Sequence, residues 1–326
     1  MQAEHWVALA KRRVARILDR RRFASIRQLE KKISEAGPPA VRAEPIKISK
    51  ALISLAAKGQ IIAEPHRNLA TFYMPANFAG PDDQNRRDYI LGLTRAFHQL
   101  TQNPAICGAA FERVVKAAAL ASDQYRVISP AKQGLEIDGY VVDKECDQVL
   151  IPKKLIGPVF VVEDKNLREW LTPSSVEVWA LIGKALRFPD AIPVLICRRM
   201  HYVGFPLFKL IGLSCWQVYR QYFDPTVEHQ LVPIRHTDGL GFSDVTTALD
   251  PPPALTRFFA RTLPAYAETF RARFERHRAL LERYAIDLGL EHDTLPYQRT
   301  QLFDEFRRAL SPPTEHDEPE DASPDF

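Results

Sequence analysis

The sequence predicts an α/β protein in which a helical, basic first segment precedes a segment of alternating strands and helices. Three observations carry this. Residues up to about 78 read as three amphipathic helices and a hairpin. Residues 104–200 then run helix, strand, strand, helix, strand. Residues 254–288 return to a helical apolar period studded with arginines. The 326-residue length suits two domains, or one large domain with an appendage. Hydrophobic residues at 46% and charged residues at 26% belong to a globular chain rather than a disordered one.

In the first segment Val14, Ile17 and Leu18 set an apolar stripe among arginines. Ser25 is placed to cap a second helix, SIRQLEKKISEAG, in which Ile26, Leu29 and Ile33 recur at helical spacing, and Gly37-Pro38-Pro39 stops it. A third helix is expected from about Ile48 to Lys58, with Leu52, Ile53 and Leu55 on its apolar side. QIIAEP and ATFYMP then read as two short strands about the polar tip His66-Arg67-Asn68. Three helices and a hairpin over residues 10–78 resemble a winged helix-turn-helix. That resemblance implies a third helix in the DNA major groove and a wing on the backbone, with Lys47, Lys50, Lys58 and Arg67 meeting phosphates or base edges. Protein docking is the alternative use of such a domain.

Charge is unevenly spread. The net charge is only +4, but residues 1–60 are strongly basic, whereas TEHDEPEDASPDF carries acids and no Lys or Arg. A basic run suits polyanion binding through counterion release; its plain alternative is a solvated helical face. Cys107, Cys146, Cys197 and Cys215 are scattered without metal-ligand spacing. With no apolar leader and no apolar run long enough for a bilayer, the expectation is reduced thiols in a cytoplasmic protein with no membrane segment. GPDDQNRRD, residues 80–88, is polar and turn-rich and reads as a linker, with a helix from Asp88 to about Leu100. Residues 254–288 form one long helix or a pair broken near Pro264. The tail from Pro312 is expected to be disordered.

The chemistry is concentrated in residues 104–200. A helix, PAICGAAFERVVKAAALA, holds Glu112; a strand, GLEIDGYVVD, holds Asp138; an apolar strand, GPVFVVEDKN, ends in Glu163-Asp164-Lys165. SSVEVWALIGKAL and AIPVLICRR supply a helix and a buried strand. Side chains alternate along a strand, so Val161, Glu163 and Lys165 share one face and Asp164 takes the other. A carboxylate and an ammonium therefore stand side by side at a strand end. Asp138, on a neighbouring strand, can join Glu163 in holding a divalent cation; hard oxygen ligands suit Mg2+ or Mn2+. Glu112, on the preceding helix, is placed to reach the same centre as a further ligand or support, its alternative being an ordinary solvent-facing residue. Other readings stay open: Asp138-Gly139 as a turn, Asp164 as the ligand if the strand bulges, and Glu136 as a competitor on the face of Asp138. Arg198, Arg199 and His201 are either phosphate contacts or a solvated strand end, and Trp170, Trp179 and Trp216 read as packing residues.

Over residues 104–222 this order, with GAAFERVVKAAAL, EIDGYVV, VFVVEDKN and IPVLICRR, resembles the PD-(D/E)xK nucleases and their restriction-endonuclease-like αβββαβ core. The nearest members in character are Holliday-junction resolvases and modification-dependent restriction enzymes. Ile137 stands where the nominal motif has proline, and Asp164 where an apolar residue is usual. The resemblance implies Glu112, Asp138, Glu163 and Lys165 as the centre of an Mg2+-dependent deoxyribonuclease acting in DNA repair or defence against foreign DNA. It also implies DNA as partner, a homodimer where two strands are cut, and room for a protein partner. The expected layout is residues 1–80 as the winged-helix domain, 81–103 as linker and connecting helix, 104–250 as the nuclease domain, 251–311 as a helical extension and 312–326 as the tail. The rival expectation is a non-catalytic DNA-binding or partner-docking protein on the same scaffold.

Overall fold

The chain opens with α1 (Gln2–Arg21), which buries Ala10, Val14 and Leu18 at four-residue spacing. The structure is a computed structural model, and it describes residues 2–36, 42–137, 140–142, 144–153, 158–289 and 296–310. Strand β1 (Ala24–Ser25) leads into α2 (Ile26–Ile33) through a capping box: Gln28 N–H donates to Ser25 Oγ, and Ser25 N–H to Gln28 Oε1. Helix α3 (Pro45–Ala57) has proline in its first turn and buries Ile48, Ala51, Leu52 and Leu55 against α1 and α2. Strands β2 (Ile61–Pro65) and β3 (Thr71–Pro75) pair antiparallel, Ala63 opposite Tyr73, and β1 lies along the other edge of β3. Asn68, at φ +65°, supplies the left-handed residue of the tip.

Helix α4 (Pro81–Thr101) corrects an expectation, because the polar run read as a linker is its first turns. Pro81 opens it and Asp82 and Asp83 favour its positive end. Asp83 is buried, receives two hydrogen bonds from the Arg22 guanidinium at 2.8 and 2.9 Å, and accepts from Ala79 N–H at 2.8 Å. Polarity there serves a cap and a pair, not a loop. Helix α5 (Gly108–Ala121) comes next.

The central sheet has the order β10-β9-β8-β7-β4. Strands β4 (Tyr125–Ile128), β7 (Gln148–Pro152) and β8 (Val159–Lys165) form an antiparallel meander. Between β4 and β7, β5 (Glu136–Ile137) and β6 (Tyr140–Val141) make a two-stranded sheet of their own, Ile137 opposite Tyr140. Helix α6 (Val176–Ala185) carries the chain from β8 to β9 (Ala191–Cys197), and α7 (Gly204–Ile211) from β9 to β10 (Ser214–Gln217); both new pairings are parallel. β8 is buried from Val159 to Asp164 and β9 throughout, as expected of strands covered on both faces.

Strand β11 (Gln221–Tyr222), α8 (Glu228–Arg235) and β12 (Val245–Thr246) pack Phe223, Leu231, Ile234 and Phe242 with Phe23, Phe72 and Phe97. Helix α9 (Pro253–Arg257) passes through a π turn, Phe258–Thr262, into α10 (Leu263–Gly289). Pro264 therefore does not break the helix. The wider turn absorbs its missing N–H, and the Phe259 carbonyl accepts the Tyr125 hydroxyl at 3.0 Å. α10 lies along α6, and α11 (Pro296–Leu310) sets Phe306 edge-on to Trp179 at 4.8 Å. Gly212, at φ +79°, ends α7 where an added Cβ would fall 2.3 Å from the Phe270 carbonyl.

The whole is a mixed α/β protein of two compact units: Met1–Val114 with Asn166–Glu169 and Val218–Asp250, and Val115–Lys165 with Trp170–Gln217 and Pro251–Phe326. The acidic tail and the Gly37-Pro38-Pro39 stop lie outside the described residues. Among those described, no helix is long and apolar enough to cross a membrane, and the four cysteines are free thiols.

Candidate active site

Strand β8 sets the geometry. Its register with β9 runs unbroken from Val159 opposite Ala191 to Lys165 opposite Cys197, so it does not bulge at Asp164. Glu163 and Lys165 share one face, with Lys165 Nζ 2.8 Å from Glu163 Oε1. Asp164 points to the other face, where its Oδ2 accepts from Gln148 Nε2 at 2.6 Å.

The strand beside β8 is β7, not the strand expected around Asp138. Gln148 faces Val162, so Asp147 stands at the next position, opposite Glu163, and accepts the Asp164 N–H at 2.7 Å. Sequence reasoning misses Asp147, which sits in a short polar run, DKECDQ, between the apolar segments. The available signal is local: Asp147 heads the apolar run QVLIP, which folds back directly onto VFVVEDK. Asp138 lies outside the described residues. The single strand expected there is instead two short strands, β5 and β6, which pair antiparallel with each other and not with β8. Glu136, the other competitor, is exposed on that hairpin.

A second unforeseen residue completes the group. Lys184, in the last turn of α6, puts its Nζ 2.6 Å from Glu163 Oε2. Glu163 is only 3% exposed and both its oxygens are engaged by ammonium groups. Burial pushes its carboxyl up, but Lys165 and Lys184 outweigh burial and hold it below the usual carboxylate range. Burial likewise pulls Lys165 down, and Glu163, with Asp147 and Glu177 adding to it, reverses that and raises it. Asp147 is pushed up to about 6, first by burial and then by the Glu163 charge.

Asp147 and Glu163 are a pair of hard-oxygen donors, and a divalent cation between them would offset both their burial and their mutual repulsion. These two donors would suit Mg2+ or Mn2+ once an oxygen of Glu163 is freed, and no set of three His, Cys, Asp or Glu is assembled for a metal among the described residues. Glu112 is half-buried on α5 and belongs to the first unit, whereas Asp147, Glu163, Lys165 and Lys184 belong to the second.

Beside the centre, α6 and α10 border a cleft of about 520 Å³. Lys144, Lys184 and Arg187 reach it with Glu282, over Trp179 and Ile286. Arg198, read as a strand-end contact, is fully buried, and its N–H donates to the Lys165 carbonyl at 3.2 Å. The Arg199 guanidinium lies over Trp170 at 5.6 Å, and His201 meets the same ring edge-on. Trp179 is a packing residue whose Nε1 donates to the Pro173 carbonyl at 3.0 Å; Trp216 stacks on Phe258.

In the first unit Lys47 and Lys50 lie on α3, Lys58 comes just after its last turn and Arg67 tips the β2–β3 hairpin. Lys50, Lys58 and Arg67 are exposed and Lys47 is half-buried. Ile46 and Ile53 are 51% and 71% exposed on the same helix as Lys50.

No family model, curated protein or solved structure matches the chain.

Proposed function

We propose that this chain is a divalent-metal-dependent nuclease of the PD-(D/E)xK type that hydrolyses phosphodiester bonds of DNA. One observation carries the reading: Glu163 and Lys165 share a face at the end of a buried central strand, with Asp147, immediately before the adjacent antiparallel strand, beside them. The sheet agrees with that family's core, since α5, the β4–β7–β8 meander, α6 and parallel β9 keep the order helix, three strands, helix, strand.

Asp147 and Glu163 would hold the cation, with Asp138 as the further ligand that the resemblance implies. A bound Mg2+ supplies Lewis-acid charge at the scissile phosphate and acidifies a water. Lys165, kept protonated by Glu163, orients the attacking water oxygen and offsets charge on the non-bridging oxygens. Water adds to phosphorus, the bond to one bridging oxygen breaks, and that oxygen leaves with a proton. The three helices and hairpin of the first segment would serve as a winged helix, Lys47, Lys50, Lys58 and Arg67 meeting phosphates or base edges. Repair and defence against foreign DNA are the two roles this chemistry suits.

A non-catalytic DNA-binding protein on the same scaffold is the second reading. It is favoured by the two ammonium groups that already occupy Glu163. Cleavage of linear, circular and branched DNA with Mg2+ or Mn2+ separates the two. Wild type should cut, and Glu163→Ala and Lys165→Ala should each lose about a hundredfold or more while retaining DNA binding. An uncut substrate set with intact DNA binding selects the second reading.

A further inference from the structure

A carboxylate with both oxygens taken cannot accept a metal ion until one partner leaves. Lys165 is poorly placed to yield: it springs from the same strand two residues on, and Glu177 adds to the attraction Glu163 exerts on it, whereas Asp147 attracts both ammonium groups. Lys184 reaches Glu163 from another element, at the end of a helix, and its side chain also borders the cleft between α6 and α10. That cleft gives the released ammonium water and space, so leaving Glu163 does not strand it in the core.

We infer that Lys184 is a placeholder cation, holding Oε2 of Glu163 until a divalent cation displaces it into the α6–α10 cleft. The inference rests on the metal-centre reading above. The placeholder explains how a carboxylate only 3% exposed is tolerated in the metal-free chain, since an unpaired buried charge is strongly destabilising. It also makes metal binding a competition. The incoming cation must both replace an ammonium and tolerate it nearby, so the centre binds metal more weakly than Asp147 and Glu163 alone would. Lys184 is thus a positioning residue that acts through Glu163.

A neutral side chain at this position removes the competitor. Calorimetric titration of MnCl2 alone into the full chain should show Lys184→Gln binding about tenfold tighter than wild type, the order expected for removing one charge a few ångströms from the ion. Lys184→Arg, which keeps the charge, should stay within about twofold of wild type on the same electrostatic ground, and Glu163→Gln should abolish the signal. Because the metal-free Lys184→Gln chain is expected to be less stable, a second measurement uses the wild type alone. Acylation of lysine amines read by mass spectrometry should show Lys184 more reactive with Mn2+ than with EDTA. Equal or weaker Mn2+ binding by Lys184→Gln, or Lys184 reactivity indifferent to Mn2+, overturns the placeholder while wild-type binding that needs Glu163 keeps the metal centre. Absence of Mn2+ binding by wild type and Lys184→Gln alike overturns both.

Discussion

The β5–β6 and β7–β8 hairpins lie one after the other along the chain, and each brings a carboxylate near a strand. Their fates differ. β5 and β6 are two residues each, with Glu136 exposed and Val141 58% exposed. β7 and β8 are five and seven residues, and Val149, Leu150, Val161 and Val162 are fully buried. A short isolated hairpin is marginal on its own, whereas a hairpin that enters a central sheet inherits its whole core. The consequence is chemical as well as mechanical. Asp147 and Glu163 are desolvated and set against each other, which raises Asp147 to about 6. The Asp147 carboxyl is shifted here because the strand it leads into is anchored, not because of the residues beside it in sequence.

Neutralising each acid in turn should separate the two hairpins most strongly. Asp147→Asn should lower metal-dependent cleavage by about a hundredfold to a thousandfold, the scale of removing one group that stabilises the transition state, while Glu136→Gln should stay within about twofold. An equal loss in both, measured at saturating Mg2+, would remove the distinction between the hairpins. In stability the contrast should be of similar size. Leu150→Ala should cost about 2–5 kcal/mol in urea denaturation, against no more than about 0.5 kcal/mol for Val141→Ala. A smaller effect concerns pH. Because the folded chain holds the Asp147 proton up to about 6 against an ordinary value of 3.8, its stabilising contribution is complete below 3.8 and is lost as pH rises through 6. In EDTA, wild type should therefore lose about 2 kcal/mol relative to Asp147→Asn between about pH 4 and pH 7. A difference that stays flat across that range would place Asp147 in solvent.

The two hairpins also show where sequence reading works. Alternation along VFVVEDK is enough to put Glu163 and Lys165 on one face and Asp164 on the other, because strand period is a property of the backbone. The apolar stripe of α1 and the Ser25 cap are legible for the same local reason. Asp147 is not, because choosing the strand that pairs with β8 is a tertiary decision. Nor does the strand period of GLEIDGYVVD reveal that β5 and β6 pair with each other rather than with β8. Lys184 leaves no local trace at all: it meets Glu163 only because α6 crosses back over the sheet. The start of α4 is hidden by polarity, although Pro81-Asp82-Asp83 carries a helix N-terminus in its chemistry. Pro264 offers a break that the π turn removes.

The most direct test of the metal-centred nuclease is a single-turnover cleavage assay on branched and linear DNA in Mg2+ and in EDTA, with wild type beside Glu163→Ala. Wild type should cut in Mg2+ alone and the variant not at all, with both binding DNA. Cutting by Glu163→Ala at the wild-type rate would contradict the assignment of the centre.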